Sequence, residues 1–325
     1  MAADARAGDR RALARLLTEI ENRTSAAEAG LRVLYPAAGL AHLVGVTGAP
    51  GAGKSTLVAA LVAEARADGR AAAVLAVDPS SPITGGAILG DRVRMQQHAG
   101  DKDVFIRSMA SRGHAGGLAT ATMAAATALD ACGFGLVFIE TVGTGQSEVE
   151  VAAIADTTLV VQAPEMGDEV QAIKAGLLEV ADLVAVNKAD RPGADRAAAG
   201  LRAMLSTGAQ HEATWGDRPR PKHPEVLLVS GATGKGVPEL LAAIDRRGAE
   251  RSVSGGTDDG AQPAQLARAQ AELNGILAER LRDRLGDTAN AELTQATLHA
   301  VAAHELDPYA AADRLLAVLA EADPD

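Results

Sequence analysis

One stretch constrains this chain more than any other: Gly48-Ala49-Pro50-Gly51-Ala52-Gly53-Lys54-Ser55, followed by Thr56. It has the form G-x-x-x-x-G-K-[ST]. The β-like run His42–Thr47 precedes it, and a helical stretch carrying Leu57, Leu61 and Val62 follows. In that strand–loop–helix context the glycines let backbone amides turn inward around a β-phosphate. Lys54 then supplies a point charge to the β and γ oxygens, and the Ser55 hydroxyl is placed to ligate Mg²⁺. Gly48 to Thr56 is therefore the expected phosphate site.

The surrounding pattern agrees. Short β runs alternate with helical stretches from Leu40 to about Gly248: His42–Thr47, Ala72–Val77, Val104–Ile106, Leu136–Glu140, Thr157–Gln162, Leu183–Asn187 and Val226–Ser230. Alternation of this kind predicts an α/β fold with a doubly wound, mostly parallel sheet. Ligands then sit at the carboxyl ends of the strands. The expected organisation is an N-terminal helical arm over 1–39, the phosphate-loop domain over 40–250, a linker over 251–263 and a C-terminal helical arm over 264–325. Leu13, Leu16, Leu17 and Ile20 read residues 9–34 as one amphipathic helix. Leu266, Leu273, Ile276, Leu277 and Leu281 form a second apolar stripe. Asp307-Pro308 can open a last helix with Leu315, Leu316 and Leu319 on its apolar face. The segment 207–224, with Trp215, reads as a surface loop.

Base identity comes from a second motif. The apolar run Leu183–Val186 ends in Asn187-Lys188-Ala189-Asp190. A carboxylate at Asp190 can accept from both N1–H and the 2-amino group of guanine, and adenine lacks that pair of donors. Lys188 can lie along the base, and Asn187 can brace the loops. After the next strand, Ser230, Gly231 and Ala232 could offer amides to guanine O6. The metal and γ-phosphate need acids. Glu140 ends an apolar strand, with Gly143 three residues later, so Glu140 can hold Mg²⁺ through water and the Gly143 amide can sense the γ-phosphate. Asp78 and Asp91 are the other candidate metal acids, against bland readings as a turn residue and a helix N-cap. Lys54, Asp78, Asp91 and Glu140 are thus the candidate catalytic residues. No glutamine directly follows Gly143; Thr144 stands there and Gln146 lies two further on, which predicts slow intrinsic hydrolysis.

Composition excludes some classes. The net charge of −11 argues against a nucleic-acid partner, which would require a basic face. Aromatics make up only 2%, so a core drawn from a 47% hydrophobic content must be built of Ala, Val, Leu and Ile. Cys132 is the single cysteine, which leaves no disulfide and no Cys/His zinc cluster. No apolar run approaches the ~18 residues of a membrane span, and the start shows no secretory signal, so a cytoplasmic location is expected.

Together the runs VDPSSPITGGAILGDRVRM (77–95), IRSMASRGHAGGLA (106–119), ETVGTGQSEVE (140–150) and GDEVQAIKAG (167–176), with NKAD, resemble the MeaB/ArgK family of GTPases. These accompany adenosylcobalamin-dependent methylmalonyl-CoA mutase. The resemblance implies a G-protein chaperone that guards the mutase and gates loading of its cofactor, with Mg²⁺ and GTP or GDP as ligands. It implies a homodimer with C-terminal helices at its interface. By position, Asp78 and Asp91 fall in a first switch near Mg²⁺, and Glu140 to Gln146 in a second. Ala163 to Lys174, with Asp168 and Glu169, match a third switch facing the partner. The family also uses Glu where many GTPases carry Asp. Gly231 departs from the commoner Ala, Glu165 from a frequent Gly, and 215–224 is longer than usual. Two rival readings are a nickel metallochaperone-type GTPase, for which Cys132 and seven His show no ligand spacing, and a kinase of amino-acid transport.

Overall fold

The computed structural model describes residues 1–79, 100–111, 117–141, 147–164, 178, 180–209, 223–254 and 261–321. Seven strands form a parallel sheet in the order β3-β2-β4-β1-β5-β6-β7. They are β1 (His42–Thr47), β2 (Ala72–Pro79), β3 (Val104–Ser111), β4 (Leu136–Thr141), β5 (Thr157–Gln162), β6 (Leu183–Val186) and β7 (Glu225–Leu228). Between and around them run α1 (Ala2–Arg6), α2 (Arg10–Glu21), α3 (Ser25–Leu34), α4 (Lys54–Ala67), α5 (Gly117–Ala131), α6 (Ser147–Ile154), α7 (Ala194–Ala209) and α8 (Val237–Ser254). Three further helices close the chain: α9 (Ala261–Gly286), α10 (Thr288–Ala302) and α11 (Pro308–Glu321). This is the doubly wound α/β architecture that the alternation of strand and helix signals predicts.

The central strands are apolar on both faces because helices cover both. Val44, Val46, Leu136 and Phe138 face α4 and α8. Val137 and Ile139 face α2 and α5 on the other side. Aspartates hold the starts of β1 and β5. Asp130 accepts from the amides of Gly39, Leu40 and Ala41, Asp156 from Leu43, and Asp182 from Thr158. Each satisfies backbone donors where the chain enters the sheet.

Several strand ends shift by one or two residues, the expected linker over 251–263 is helical at 251–254 and 261–263, and two elements differ more. The strand expected over Val104–Ile106 runs on to Ser111, paired with β2 throughout. Arg107 breaks the apolar pattern, but its guanidinium pairs with Glu21 at 2.6 Å, so its charge is accommodated beneath α2. The single helix expected over 9–34 is two. Its break lies at Asn22–Thr24, where Arg23 turns left-handed (φ 55) and the Thr24 hydroxyl caps Ala27 N at 3.2 Å.

By contact the chain divides at Arg268/Ala269. The N-terminal helices belong to the first unit, where Leu13, Leu16, Leu17 and Ile20 join one core with α5. In the second, Asp307 accepts from Tyr309 N and Ala310 N and so starts α11. Among the described residues no helix is long and apolar enough to cross a membrane. The expected surface loop over 207–224 lies almost wholly outside the described side chains.

Candidate nucleotide site

The phosphate loop leaves the buried end of β1 and closes before α4. A β-carbon on Gly48 (φ +135) would collide with the Val161 carbonyl of β5, and one on Gly53 (φ +89) would meet Asn187 Nδ2 at 2.5 Å. Both positions combine a left-handed backbone with no room for a side chain, which leaves glycine. Ala52 N donates to Ala49 O at 3.2 Å, folding the loop over Pro50 and Gly51. Lys54 is 7% exposed, and its ammonium donates to Gly48 O at 2.7 Å and Ala49 O at 3.2 Å, inside the loop's curve. Thr56 faces solvent one step along α4.

At the start of α4, Ser55 Oγ donates to Glu140 Oε1 at 2.6 Å, and both residues are buried. Glu140 is the penultimate residue of β4, opposite Val46 of β1 and Ala76 of β2, at the carboxyl edge of the sheet. A hydroxyl beside a carboxylate, both hard oxygen donors, fits Mg²⁺. Among the described residues no group of three or more His, Cys, Asp or Glu side chains is placed to hold a metal ion. Asp78 is the penultimate residue of β2, opposite Ala110 in backbone register. Its side chain, like Asp91, Gly143, Gln146, Asp168, Glu169 and Lys174, lies outside the described residues.

The N-K-x-D loop is held by a chain of bonds. Asn187 Nδ2 donates to Ala52 O at 2.9 Å and Gly53 O at 3.2 Å, while its Oδ1 accepts from Gly231 N at 3.0 Å. One buried amide thereby ties the phosphate loop to the loop after β7. Lys188 has φ 58, a strained value for a non-glycine residue, in the turn between Asn187 and Asp190. Asp190 is exposed, and its Oδ1 accepts from Ser230 Oγ at 2.5 Å. That hydroxyl bond, foremost, holds the Asp190 carboxyl below the usual aspartate range, so it stays an ionised acceptor. Ser230 Oγ also accepts from Thr233 N at 3.3 Å. One hydroxyl thus closes the turn after β7 and joins it to Asp190. A groove of about 400 Å³ runs from Thr56 and Ala60 of α4 to Gly231, Ala232 and Val237.

One buried group escaped the sequence reading. Thr47 Oγ1, immediately before the phosphate loop, is buried without a hydrogen-bond partner. A hydroxyl at the last position of an apolar strand is the signal that could have singled it out.

A phosphate loop, a carboxylate–hydroxyl pair and an N-K-x-D loop braced on each other suit a nucleoside triphosphate. Comparison with known families bears on which. The family model described as "Methylmalonyl Co-A mutase-associated GTPase MeaB" matches residues 13–290. This chain belongs to the MeaB family. MeaB proteins are P-loop GTPases, and the match takes in the phosphate loop, Glu140, Asn187–Asp190 and the Ser230 loop. A Pyrococcus horikoshii protein named as a GTPase is 44% identical over 309 residues, covering 95% of this chain and 94% of that protein. GTPase ArgK of Escherichia coli is 39% identical, covering 74% and 72% respectively. The mouse protein named methylmalonic aciduria type A homolog, mitochondrial, is 36% identical over 62% of this chain and 48% of its own length. Among solved structures, one titled as a LAO/AO transport system kinase superposes with a TM-score of 0.65 at 27% identity, covering 98% of this chain and 96% of that one. It supports the parallel-sheet P-loop fold with added helices.

Proposed function

We propose that this MeaB-family GTPase is a nucleotide-switched chaperone of an adenosylcobalamin-dependent, methylmalonyl-CoA-type mutase. It hydrolyses GTP to GDP and phosphate, gating cofactor loading and protecting the client in the cytoplasm. The observation that carries the nucleotide half is Asp190. It is an ionised, exposed carboxylate set by Ser230 at the end of a loop that Asn187 fastens to the phosphate loop. Such an acceptor pairs with the two donors on the guanine edge and leaves adenine unmatched. The family description and the name of the mouse relative support the client.

In this reading the amides of Gly51 to Ser55 and the Lys54 ammonium take the β- and γ-phosphates. Ser55 and Glu140 hold Mg²⁺, with Asp78 and Asp91 as further acids of the same centre. Mg²⁺, when bound, offsets phosphate charge. Lys54 adds charge stabilisation that grows as the γ-phosphoryl departs. Lys188 lies along the base, and Gly231 and Ala232 offer amides to O6. Gly143 and Gln146 belong to the second switch, and Asp168, Glu169 and Lys174 to a third that faces the client. The apolar stripe of α9 supports a homodimer, because Leu266, Leu273, Leu277 and Leu281 are all exposed in the single chain.

The test is GTP turnover with and without the purified mutase, in wild type, Asp190→Asn and Lys174→Ala. Asp190→Asn is expected to lose GTP affinity by on the order of 10²-fold, since one charge-assisted pair contributes ~1.5–3 kcal/mol, and to gain affinity for xanthosine triphosphate. Stimulation by the mutase in wild type, lost in Lys174→Ala, supports the chaperone reading. Turnover indifferent to the mutase, with no nucleotide-dependent complex, sinks the client half and leaves the GTPase.

A further inference from the structure

Helix α6 lies against β1 at a place where the strand carries no side chain. Gly45 is buried in the middle of β1, paired with Ile139 of β4 on one side and Thr158 of β5 on the other. A β-carbon built on it would lie 2.7 Å from Val151 Cγ1, 2.9 Å from Ala155 Cβ and 3.3 Å from the Val151 carbonyl oxygen. Carbon atoms in ordinary contact stay about 3.5–4.0 Å apart. Val151 is buried and branched at its β-carbon, so its γ-carbon has little freedom to turn. Ala155, also buried, has no side-chain torsion to turn at all. The strand cannot yield sideways, because both neighbours hold it in register. An added β-carbon therefore acts on the helix.

Any displacement of α6 falls on its N-terminal end. Just past its C-terminal end, Asp156 is bonded to Leu43 twice: its amide donates to Leu43 O at 2.7 Å, and its Oδ2 accepts from Leu43 N at 2.8 Å. Ser147 opens the helix, and residues 142–146 join it to Thr141, the last residue of β4. That strand end is fixed in turn by the pairing of Glu140 with Val46. Strand β1 thus anchors residues 142–146 on both sides, through the Glu140 register at their start and through the Gly45 seat of α6 at their end. The same strand ends at Thr47, and Gly48 opens the phosphate loop. Lifting α6 from Gly45 would shift the anchor at Ser147 while the Ser55–Glu140 pair keeps its place.

We propose that Gly45 is a positioning residue for GTP hydrolysis: by leaving β1 bare it lets α6 lie directly on the strand, and so fixes where the second switch ends relative to the phosphate loop. This rests on the reading of residues 140–146 as that switch. Its readout is kcat, with affinity for GDP left as it is.

The experiment measures steady-state GTP turnover and GDP affinity in wild type, Gly45→Ala, Gly45→Ala with Val151→Ala, and Gly143→Ala. Gly45→Ala is expected to lower kcat about tenfold, within the ~10²-fold that a misplacement of about 1 Å can cost. KM and the Kd for GDP should stay within about twofold of wild type, the pattern of an interaction made only in the transition state. Val151→Ala removes the atom that the new β-carbon meets first, so the double variant should recover most of the lost kcat. Unchanged or raised kcat in folded Gly45→Ala overturns the proposal. So does an equal loss of GDP affinity, because the added carbon would then have disturbed the phosphate loop, and so does a double variant no faster than the single one. If Gly45→Ala does not fold, Ala155→Val, which thickens the same contact from the helix side, is judged by the same kcat and GDP criteria. Gly143→Ala tests the switch reading alone. Hydrolysis at the wild-type rate there overturns that reading, and this inference with it. Slow hydrolysis in Gly143→Ala beside wild-type kcat in Gly45→Ala overturns only this inference.

Discussion

Two helical stripes in this chain look alike as sequence and end differently. In α2, Leu13, Leu16, Leu17 and Ile20 are at most 3% exposed. In α9, Leu266, Leu273, Leu277 and Leu281 are 39–65% exposed in the single chain. Both recur at helical spacing. The difference lies in what each meets. Helix α2 lies on α5, whose Ala121, Ala124, Ala125 and Ala128 leave hollows for leucine. Gly30 of α3 makes further room, since a β-carbon there would sit 2.8 Å from Leu16 Cδ1. Polar contacts then lock the seat. Arg10 donates to the carbonyls of Asp101, Lys102 and Val104 and stacks 5.3 Å from the Phe105 ring centre, while Glu21 pairs with Arg107. The same kind of stripe is thus core material in one helix and accessible surface in the other. An apolar period reports that a helix has something to bury, and is silent on where.

Substitutions can widen or erase that contrast. The largest effect belongs to the buried stripe. Leu16→Ala, at a fully buried site, is expected to cost about 2–5 kcal/mol, read as a lower midpoint in urea unfolding. A cost below about 0.5 kcal/mol would mean that α2 is not core material. Arg10→Ala is expected to cost about 1–2 kcal/mol, through three carbonyl bonds and one ring contact. An unchanged unfolding midpoint would reduce that seat to decoration.

In the exposed stripe the stability effect should be small and the assembly effect large. Leu273→Lys with Leu277→Lys is expected to leave unfolding within about 0.5 kcal/mol. The same change should convert the proposed dimer to a monomer by light scattering. Removing residues 262–325 should do likewise. A full-length protein already monomeric at tens of micromolar would overturn the proposed use of that face.

The smallest effect is at the start of α2. Asp9 accepts from Arg11 N and Ala12 N, and these backbone bonds hold its carboxyl below the usual aspartate range. A depressed carboxyl contributes stability above its unfolded value and loses it as pH falls through its folded one. Asp9→Ala should therefore lower stability slightly at neutral pH and flatten the profile below about pH 4. A parallel acid limb in wild type and variant would show that the cap contributes nothing.

Much of the site was legible because its parts are contiguous. A phosphate loop is a run of backbone whose turns demand glycine at Gly48 and Gly53, and whose cation and hydroxyl follow in the next two positions. N-K-x-D after an apolar strand is equally local. Alternating strand and helix signals fixed the fold class, because each element carries its own period. The ends of elements were less legible. Arg107 hid the second half of β3, since its neutralising partner, Glu21, stands 86 residues away in sequence. Arg23 hid the break between α2 and α3, because a left-handed residue there carries no glycine signal.

What the tertiary structure alone decided is which local pieces meet. The strand order β3-β2-β4-β1-β5-β6-β7 puts β1 between β4 and β5, and so brings Glu140 to Ser55 across 85 residues. Asn187 reaches Ala52 across 135 residues and Ser230 reaches Asp190 across 40, and Gly231 comes to rest on Leu57. None of these leaves a mark within a short window, because hydrogen bonds and close packing depend on distance in space. The sequence by itself determined the chemistry of each loop; the sheet determined their mutual distances.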